Sequence, residues 1–210
     1  MSMEDFFHKH LNRNPSFIGE QKFSKYAIFL PLIKMDEEYH ILFEIRAYHM
    51  RRQPGEICFP GGKIESNDIN PMETAFRETF EELSIRKEDV LHLFPLDYKL
   101  SPFGTIIYPY AGLINSSAKI VPNSAEVAKI FTVPIKFFMN HSPKSYQVNF
   151  KVEPERDFPF HAINGGENYN WQIRQMEELF YYYEEYTIWG LTASILKHFI
   201  DMLKSENLSL

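Results

Sequence analysis

Residues 59–85 read FPGGKIESNDINPMETAFRETFEELSI, and this stretch carries most of what the sequence says about chemistry. A glycine pair leads into a polar turn punctuated by proline, and a helical stretch follows. A helix turns by about 100° per residue, so Glu78, Glu81 and Glu82 fall on one side of it. The opposite side is apolar and predicts the face that packs on a core. It collects Met72, Phe76, Phe80 and Leu83.

Three carboxylates on one helix face repel one another, and each raises the pKa of its neighbours unless a positive charge lies among them. A hard divalent cation removes this repulsion because it prefers oxygen ligands. The residues therefore predict a Mg²⁺ or Mn²⁺ site on the helix, with the glycine loop beside it. The alternative is a solvated helix face, which clustered glutamates most often form.

The spacing of this stretch resembles the Nudix box, in which a glycine is followed by five residues, Glu, seven residues and then Arg-Glu-aliphatic-any-Glu-Glu-any-Gly-aliphatic. Counted from Gly62, the first acidic position falls on Asp68, an Asp in place of Glu, and eight residues separate it from Arg77. The extra residue lies in the turn, where changes of length are best tolerated. Thr79 and Ser84 also depart from the pattern. The positions that match it are Arg77, Glu78, Glu81, Glu82 and Ile85.

The composition bounds the class of protein. A chain of 210 residues, 44% of them hydrophobic, can bury one ample core, so one globular domain is the default. The net charge is −6 and no dense run of Lys or Arg occurs, so a nucleic acid partner is not expected. Cys58 is the single cysteine, which excludes a disulfide framework and fits a reducing compartment. We expect it to be a small buried residue rather than a nucleophile.

The expected location is the cytoplasm. The N-terminus, MSMEDFFHKHL, lacks the basic and then apolar layout of a signal peptide. No apolar run reaches the length of a membrane span, so a membrane partner is not expected. The last three residues, Leu-Ser-Leu at 208–210, differ from the peroxisomal address Ser-Lys-Leu.

The first half of the chain predicts a short amphipathic helix at 3–11 and then an antiparallel hairpin. The hairpin strands are KYAIFLPLIK (25–34) and YHILFEIRA (39–47), both rich in aromatic and branched residues around a polar turn. Pro31 suggests that the first strand lies at an edge or carries a bulge. A short strand at 57–59 enters the glycine turn.

The second half predicts strands, a second hairpin and a closing helix. The predicted elements are strands at 87–96 and 105–114, a strand leading into a short helix over 126–138, a hairpin of 147–151 with 159–163, and a helix at 187–204. We expect residues 1–24 to form an N-terminal helical extension and residues 25–210 a single α/β domain, with a mixed sheet between helices. The resemblance implies the Nudix α/β/α sandwich.

A second pattern lies upstream of the box. It is similar to the signature Leu-Leu-Thr-any-Arg-Ser, three residues, Arg, three residues, Gly, three residues, Phe-Pro-Gly-Gly, which marks the coenzyme A diphosphatase branch of the Nudix hydrolases. Phe43, Glu44 and Ala47 replace Leu, Thr and Ser of the signature. Residues 123–138 and 188–196 are similar to the same branch. The matching positions are Leu42, Arg46, Arg51, Gly55 and 59–62.

The arginines of this signature suit an anionic substrate. Coenzyme A carries a pyrophosphate and a 3′-phosphate, and guanidinium groups bind phosphate oxygens in pairs. Arg46, Arg51 and Arg52 are candidates for phosphate contact, and the alternative is surface pairing with the many glutamates. The tyrosines of FYYYEEY (180–186) could stack a base, although an ordinary strand is the favoured interpretation.

The resemblance implies metal-assisted hydrolysis of the pyrophosphate bond of coenzyme A or a derivative, giving 4′-phosphopantetheine and adenosine 3′,5′-bisphosphate. It makes Glu81, Glu82 and the backbone carbonyl of Gly61 ligands of Mg²⁺ or Mn²⁺. Glu78 is a further ligand, or else it orients or deprotonates the water. Arg77 holds the glutamates or Asp68 in place. Glu126 is an extra ligand or base, or a capping residue.

Three other functions stay open. The first is a Nudix pyrophosphatase for ADP-ribose, dinucleotides or nucleoside triphosphates, against which the upstream arginines argue. The second is a non-catalytic Nudix-like sensor, which would typically have lost carboxylates that are present in this sequence. The third is a metal-stabilised structural domain, which leaves the arginine spacing unexplained. A homodimer is left open, and the eight histidines show no metal-ligand spacing.

Overall fold

The computed structural model describes residues 1–172 and 174–206, so the tripeptide at 208–210 lies outside the described residues. Its helices are α1 (Met3–His10), α2 (Pro71–Leu83), α3 (Ile135–Asn140) and α4 (Gly190–Ser205). Its strands are β1 (Ser24–Met35), β2 (Glu38–Arg46), β3 (Ile57–Cys58), β4 (Gly61–Lys63), β5 (Val90–Pro95), β6 (Lys99–Ser101), β7 (Thr105–Ile114), β8 (Val127–Pro134), β9 (Lys144–Phe150), β10 (Arg174–Tyr183) and β11 (Tyr186–Trp189). Single 3₁₀ turns lie at Glu20–Lys22, Lys87–Asp89, Phe160–Ala162 and Gly166–Asn168.

Strand β1 is the centre of the main, mixed sheet. It pairs antiparallel with β2 and β4 and parallel with β7. The sheet runs in the order β3-β2-β1-β7-β5, with β8 added to β2 and β6 added to β7. The predicted hairpin and the strand at 105–114 are therefore confirmed, while the parallel pairing of β1 with β7 joins segments that no local pattern connects.

The prediction that Pro31 marks an edge or a bulge is wrong, because β1 has partners on both sides. Phe29 donates its backbone N–H to Pro60 on the β4 side of the strand. N–H groups alternate along a strand, so the nitrogen of Pro31 faces the same side. It falls after the last β4 pair, at Ile28, and before the first β2 pair, at Leu32. The missing donor thus coincides with the point where β1 changes partners.

The sheet separates two apolar layers, which confirms the predicted architecture of a mixed sheet between helices. Helix α2 packs on one face, where Ala75 and Leu83 join Phe29 and Leu42. Helices α3 and α4 pack on the other face, with a core that includes Leu30, Phe43, Phe138 and Leu196. The smaller sheet β11-β10-β9 covers this second layer with Leu179, Tyr181 and Ile188.

Helix α2 begins where the sequence supplies a cap. The Asn70 side chain accepts a hydrogen bond from the backbone N–H of Glu73, at 3.0 Å, and Pro71 occupies the first turn, where its missing N–H costs nothing. The helix ends at Ser84, which has a left-handed conformation with φ of 58°. This is the conformation for which the box pattern has glycine, so Ser84 carries local backbone strain.

The core face of α2 differs from the one predicted. Its buried residues include Ala75, Thr79 and Leu83, whereas Phe80 is 51% exposed. Small residues let the helix lie close to the sheet, and the buried Thr79 hydroxyl donates to the Ala75 carbonyl, at 2.7 Å. Glu82 is buried as well, so the carboxylates flank the packed face and do not oppose it.

Two further predictions are wrong. Strand β9 pairs with β10, from Lys144↔Phe180 to Phe150↔Arg174, and not with residues 159–163, which hold a 3₁₀ turn. The predicted helix at 187–204 begins only at Gly190, which has a φ of 63°. Residues 187–189 belong to β11, because Ile188 is needed in the core beside β10.

Helix α1 has no buried residue, and β1 begins at Ser24. The division into an extension over 1–24 and a domain over 25–210 stays a prediction. Within the described residues, none of the helices has both the length and the apolar character needed to span a membrane.

Candidate active site

A cavity of about 680 Å³ lies where α2, β4 and the loop before β3 meet the start of α4. Glu78, Glu82 and Glu126 line it together with Arg46 and Arg52. The fold thus brings two box glutamates, the predicted extra carboxylate and two signature-region arginines to one place. These residues come from four separate parts of the chain.

Glu82 lies at the inner end of this cavity. Its residue is 3% exposed, and its carboxylate accepts the backbone N–H of Gly61, at 2.9 Å. Burial raises the pKa of Glu82 above its ordinary value, and the nearby Glu44 carboxylate raises it further. Gly61 is required here because a Cβ atom would collide with the Ala27 carbonyl oxygen on β1.

Glu78 lies over the second glycine of the pair. A Cβ atom at Gly62 would overlap the Glu78 carboxylate, so the absent side chain supplies the room for this group. Burial raises the pKa of Glu78, and the Arg77 guanidinium, 2.7 Å from Oε1, opposes that rise. Glu78 is therefore held beside the glycine loop by a cation of its own helix.

Arg77 joins the turn to the helix. Its Nε and Nη2 donate to the two oxygens of Asp68, both at 3.1 Å, and Nη2 also donates to the Lys63 carbonyl oxygen, at 3.3 Å. Asp68 accepts two more bonds, from the Thr74 hydroxyl at 2.8 Å and the Glu65 N–H at 2.9 Å. These donors hold the pKa of Asp68 well below its usual range. This geometry suits a residue that holds Glu78 in place, and the catalytic contribution of Arg77 stays a prediction.

Two of the predicted site residues lie elsewhere. The Glu81 side chain is 47% exposed and contacts Arg77, at 3.5 Å. Neither Glu81 nor Arg51 is among the residues that line the cavity in the described part of the chain. Across residues 1–172 and 174–206, no group of three His, Cys, Asp or Glu side chains is already arranged as a metal cluster.

Glu44 is a residue of the site region that sequence reasoning missed. It lies on β2, is 1% exposed and accepts a hydrogen bond from the Cys58 thiol, at 3.2 Å. Its Oε2 atom is buried without a hydrogen-bond partner. Burial raises the pKa of Glu44 above its ordinary value. The available signal was one charged residue inside the apolar run HILFEI, two positions after Leu42 and therefore on the same strand face.

Lys63 and Trp189, which line the cavity, were also missed. Trp189 is 41% exposed, and its ring stacks on Phe180 with centroids 5.6 Å apart. Residues 180–186 form strands and a turn, as the favoured interpretation had it, and Tyr181 is buried in the core. Residues 180–186 are not among those that line the cavity in the described part of the chain, whereas the indole of Trp189, at the end of β11, is.

The donor set fits a hard divalent cation. The groups near the glycine loop are carboxylates, and the buried ones are short of hydrogen-bond donors, as the free Oε2 of Glu44 shows. Burial raises the pKa values of Glu78, Glu82 and Glu44, so their ionised forms lack stabilising charge. A cation with oxygen ligands would supply that charge.

Comparison with known proteins gives a family and several relatives. A family model described as NUDIX domain matches residues 26–153. Peroxisomal coenzyme A diphosphatase NUDT7 of Mus musculus is 30% identical over 143 residues, which cover 67% of this chain and 58% of the mouse protein. The chain thus spans less than two thirds of that relative. An uncharacterized Nudix hydrolase, NudL of Yersinia pestis, is 31% identical over 172 residues, or 82% of this chain and 76% of the relative.

Among solved structures, a MutT/nudix family protein from Enterococcus faecalis superimposes with a TM-score of 0.49 and 14% identity, covering 98% of this chain and 70% of that one. This likeness is too remote to bear on the site.

Proposed function

The chain belongs to the Nudix family of hydrolases, and on that premise we propose that it cleaves the pyrophosphate bond of coenzyme A or a derivative, with Mg²⁺ or Mn²⁺ as cofactor. The products would be 4′-phosphopantetheine and adenosine 3′,5′-bisphosphate. One observation carries this proposal. The cavity that contains the box residues Glu78 and Glu82 also contains Arg46 of the upstream signature and its neighbour Arg52.

The arginines account for substrate charge. A pyrophosphate with a further phosphate on the ribose is strongly anionic, and guanidinium groups match phosphate oxygens with two parallel hydrogen bonds. Arg46 Nε lies 3.5 Å from the Arg52 carbonyl oxygen, so the end of β2 and the following loop present both side chains to one cavity. Arg51 is not among the residues that line this cavity, which favours Arg52 as the second phosphate contact.

The carboxylates account for the metal. A bound divalent cation would neutralise phosphate charge and lower the pKa of the attacking water. Glu82, Glu78 and the Gly61 carbonyl are the groups of the cavity that would hold it. Glu81 is the further ligand that the box resemblance predicts. Its side chain is 47% exposed and its ion pair with Arg77 is long, at 3.5 Å, so little holds it in its present direction.

Glu126 has a fixed place beside these groups. Its backbone carbonyl accepts the N–H of Ala47, at 2.7 Å, which ties the turn before β8 to the end of β2. Its side chain lines the cavity with Glu78 and Glu82. This position suits an extra ligand or a base that takes a proton from the attacking water, and Glu78 is the other candidate for that base.

The named relatives support the substrate class to different degrees. The mouse protein is named as a coenzyme A diphosphatase, and its alignment covers 67% of this chain. The relative from Yersinia pestis is described as uncharacterized and names no substrate. The cytoplasmic location remains a prediction from the sequence.

A substrate panel tests the proposal. Coenzyme A, acetyl-coenzyme A, ADP-ribose, NADH and a nucleoside triphosphate are compared at equal concentration, first with Mg²⁺ and then with Mn²⁺, and the products are separated by chromatography. We expect coenzyme A or its acetyl form to be cleaved with the highest kcat/KM. Preference for ADP-ribose or NADH would keep the pyrophosphatase chemistry and reject the substrate. If none of these compounds were cleaved, the result would favour a ligand sensor.

A matched pair of variants tests the arginines. We expect Arg52→Ala to raise the KM for the preferred substrate by about tenfold or more, the usual effect of removing a charged hydrogen bond. Arg51→Ala removes the same charge one residue away, outside the cavity, and should change KM by less than about twofold. Equal effects of the two variants would contradict the assignment of Arg52.

A further inference from the structure

Glu44 is placed in the layer between the main sheet and α2. It pairs with Cys58 across β2 and β3, and it shares a strand face with Leu42. Leu42 packs in the same cluster as Ala75 and Leu83 of α2. The carboxylate of Glu44 therefore points toward the helix that carries the box glutamates, from the opposite wall of the layer.

The hydrogen bonds of Glu44 are too few for its burial. Its residue is 1% exposed, and Oε1 accepts a single bond from the Cys58 thiol, at 3.2 Å. A thiol is a weak donor. Oε2 is buried and has no partner. A buried polar oxygen without a partner costs about 1–3 kcal/mol, and more when it is charged, so such an atom calls for an explanation.

Glu82, on α2, also accepts fewer hydrogen bonds than its burial calls for. It is 3% exposed, and the bond that its carboxylate accepts comes from the Gly61 backbone. Cys58, whose thiol donates to Glu44, lines the cavity together with Glu82. Two buried carboxylates, each accepting a single hydrogen bond, thus belong to the same region of the molecule.

We propose that Glu44 belongs to the divalent-cation site, to which it gives its unpartnered Oε2 alongside Glu82 and Glu78. This inference rests on the metal site of the proposed function and extends it by one carboxylate. The upstream signature has Thr at this position, so the extra negative charge is a feature of this chain and not of the pattern. The expected consequence is tighter binding of the cation than the box residues alone would give.

The competing explanation is structural, with Glu44 serving only as the acceptor for the Cys58 thiol. The two roles differ in the metal-free protein. If Glu44 is a cation ligand, replacing it removes an unfavourable buried charge, so metal-free stability should stay the same or rise. If Glu44 is only a packing and hydrogen-bonding residue, replacing it should lower metal-free stability and leave metal affinity unchanged.

Mn²⁺ binding measured by electron paramagnetic resonance tests this, because the free ion is counted directly and no turnover is needed. The variants are Glu44→Gln, which keeps the shape, and Glu44→Thr, which restores the residue of the signature. Glu73→Gln is the control, since it removes one carboxylate of α2 that pairs with Lys87, at 2.6 Å, away from the cavity. We expect the Mn²⁺ Kd to rise by about 10–100-fold in both Glu44 variants. The control should stay within about twofold of the unaltered chain.

Thermal unfolding supplies the second readout. We expect the Glu44 variants to unfold at the same or a higher temperature in EDTA, and to gain less from added Mn²⁺ than the unaltered chain does. Mn²⁺ affinity equal to that of the control would overturn the inference and leave the proposed function intact. Absence of Mn²⁺ binding by the unaltered chain would overturn both. Failure of both variants to fold without metal would establish the structural role and reject the inference.

Discussion

An outer carboxylate group and an inner pair of carboxylates differ in how completely the fold supplies them with hydrogen-bond donors. The outer group is Asp68, whose two oxygens accept four bonds, two of them from Arg77. The inner group is Glu44 with Glu82, each with one bond from a weak or backbone donor. Asp68 has a lowered pKa, whereas the pKa values of the inner pair are raised.

The difference shows where the chain supplies its own counter-charge and where it does not. The outer group is complete without any ligand, so its role is to fix the turn against α2. The carboxylates of the inner group accept only one hydrogen bond each, and a bound cation would supply the positive charge that they lack. Buried carboxylates without partners are expensive, and they persist in folded proteins mainly where function requires them.

Breaking the inner group should have the largest effect. We expect Glu82→Gln to lower kcat on the preferred substrate by about 10²–10³-fold, because a charge that holds the cation at the reacting phosphate is lost. The metal-free variant should be no less stable than the unaltered chain, since burying Gln does not require a carboxyl group to be kept protonated. Steady-state kinetics with Mg²⁺ measures the first effect. A kcat within about twofold of normal would contradict the site.

Breaking the outer group should affect stability more than chemistry. We expect Asp68→Asn to lower the free energy of unfolding by about 1–3 kcal/mol, because Arg77 loses one of its charged partners. Urea denaturation measures this. The matched control is Asp201→Asn, which removes one member of an exposed ion pair with Lys197 on α4 and should cost less than about 0.5 kcal/mol. Equal losses in the two variants would show that the outer group is an ordinary surface pair.

The pH dependence of stability should sharpen the contrast, because the two groups have opposite signs. Asp68 binds its proton less readily when folded, so its contribution is present above 3.8 and is lost as the pH falls below that value. Glu44 and Glu82 bind protons more readily when folded, so metal-free stability should fall as the pH rises above 4.5. Each proton changes the free energy of unfolding by up to about 1.4 kcal/mol per pH unit.

Unfolding in EDTA and in Mg²⁺, followed from pH 5 to 8, checks this expectation. The decline toward pH 8 should be smaller in Mg²⁺ than in EDTA, and smaller in Glu82→Gln than in the unaltered chain. A metal-free protein that gains stability steadily from pH 5 to pH 8 would contradict the raised pKa values.

The smallest effect should come from a conservative change at the outer group. We expect Arg77→Lys to lower the free energy of unfolding by about 0.5–1.5 kcal/mol, because the charge is kept and the paired bonds to Asp68 are lost. Asp68 retains its bonds from Thr74 and Glu65 in this variant. Urea denaturation beside Asp68→Asn measures the difference. A loss as large as that of Asp68→Asn would mean that charge alone contributes little at this position.

Local patterns in the sequence predict much of the fold. The hairpin of β1 with β2, the strand at 105–114 and the strand that leads into α3 all follow from composition over fewer than about fifteen residues. The partner of β9 and the parallel partner of β1 could not be predicted in this way. Strand β9 pairs with a segment that begins at Arg174, and β1 pairs in parallel with β7. Such pairings depend on distant residues and leave no local signal.

The residues of the candidate site also divide into those that local spacing predicts and those that depend on distant parts of the chain. The spacing of Glu78 and Glu82 after the glycine pair predicts that both side chains lie near the glycines, because the geometry of a helix depends only on neighbouring residues. Glu44 could not be assigned from spacing, since only the sheet brings it opposite α2. The apolar side of α2 also misled the prediction, because Phe80 stays exposed while Thr79 is buried. The side of a helix that becomes buried depends on the surface against which the helix packs. For α2 that surface includes the two glycines of β4.

The parallel pairing of β1 with β7 has a consequence for the kinetics of folding. Every pair in this ladder, from Ser24↔Thr105 to Ile33↔Ile114, joins residues 81 positions apart, and the whole box lies inside the loop that the ladder closes. Closing a loop of this length costs entropy before any contact repays it, and non-local strand pairing slows folding. Helix α2 shares its core cluster with Ile114 of β7, so its packing is completed only when the ladder forms. We therefore expect the cavity to assemble late in refolding, after the ladder of β1 with β7 has formed.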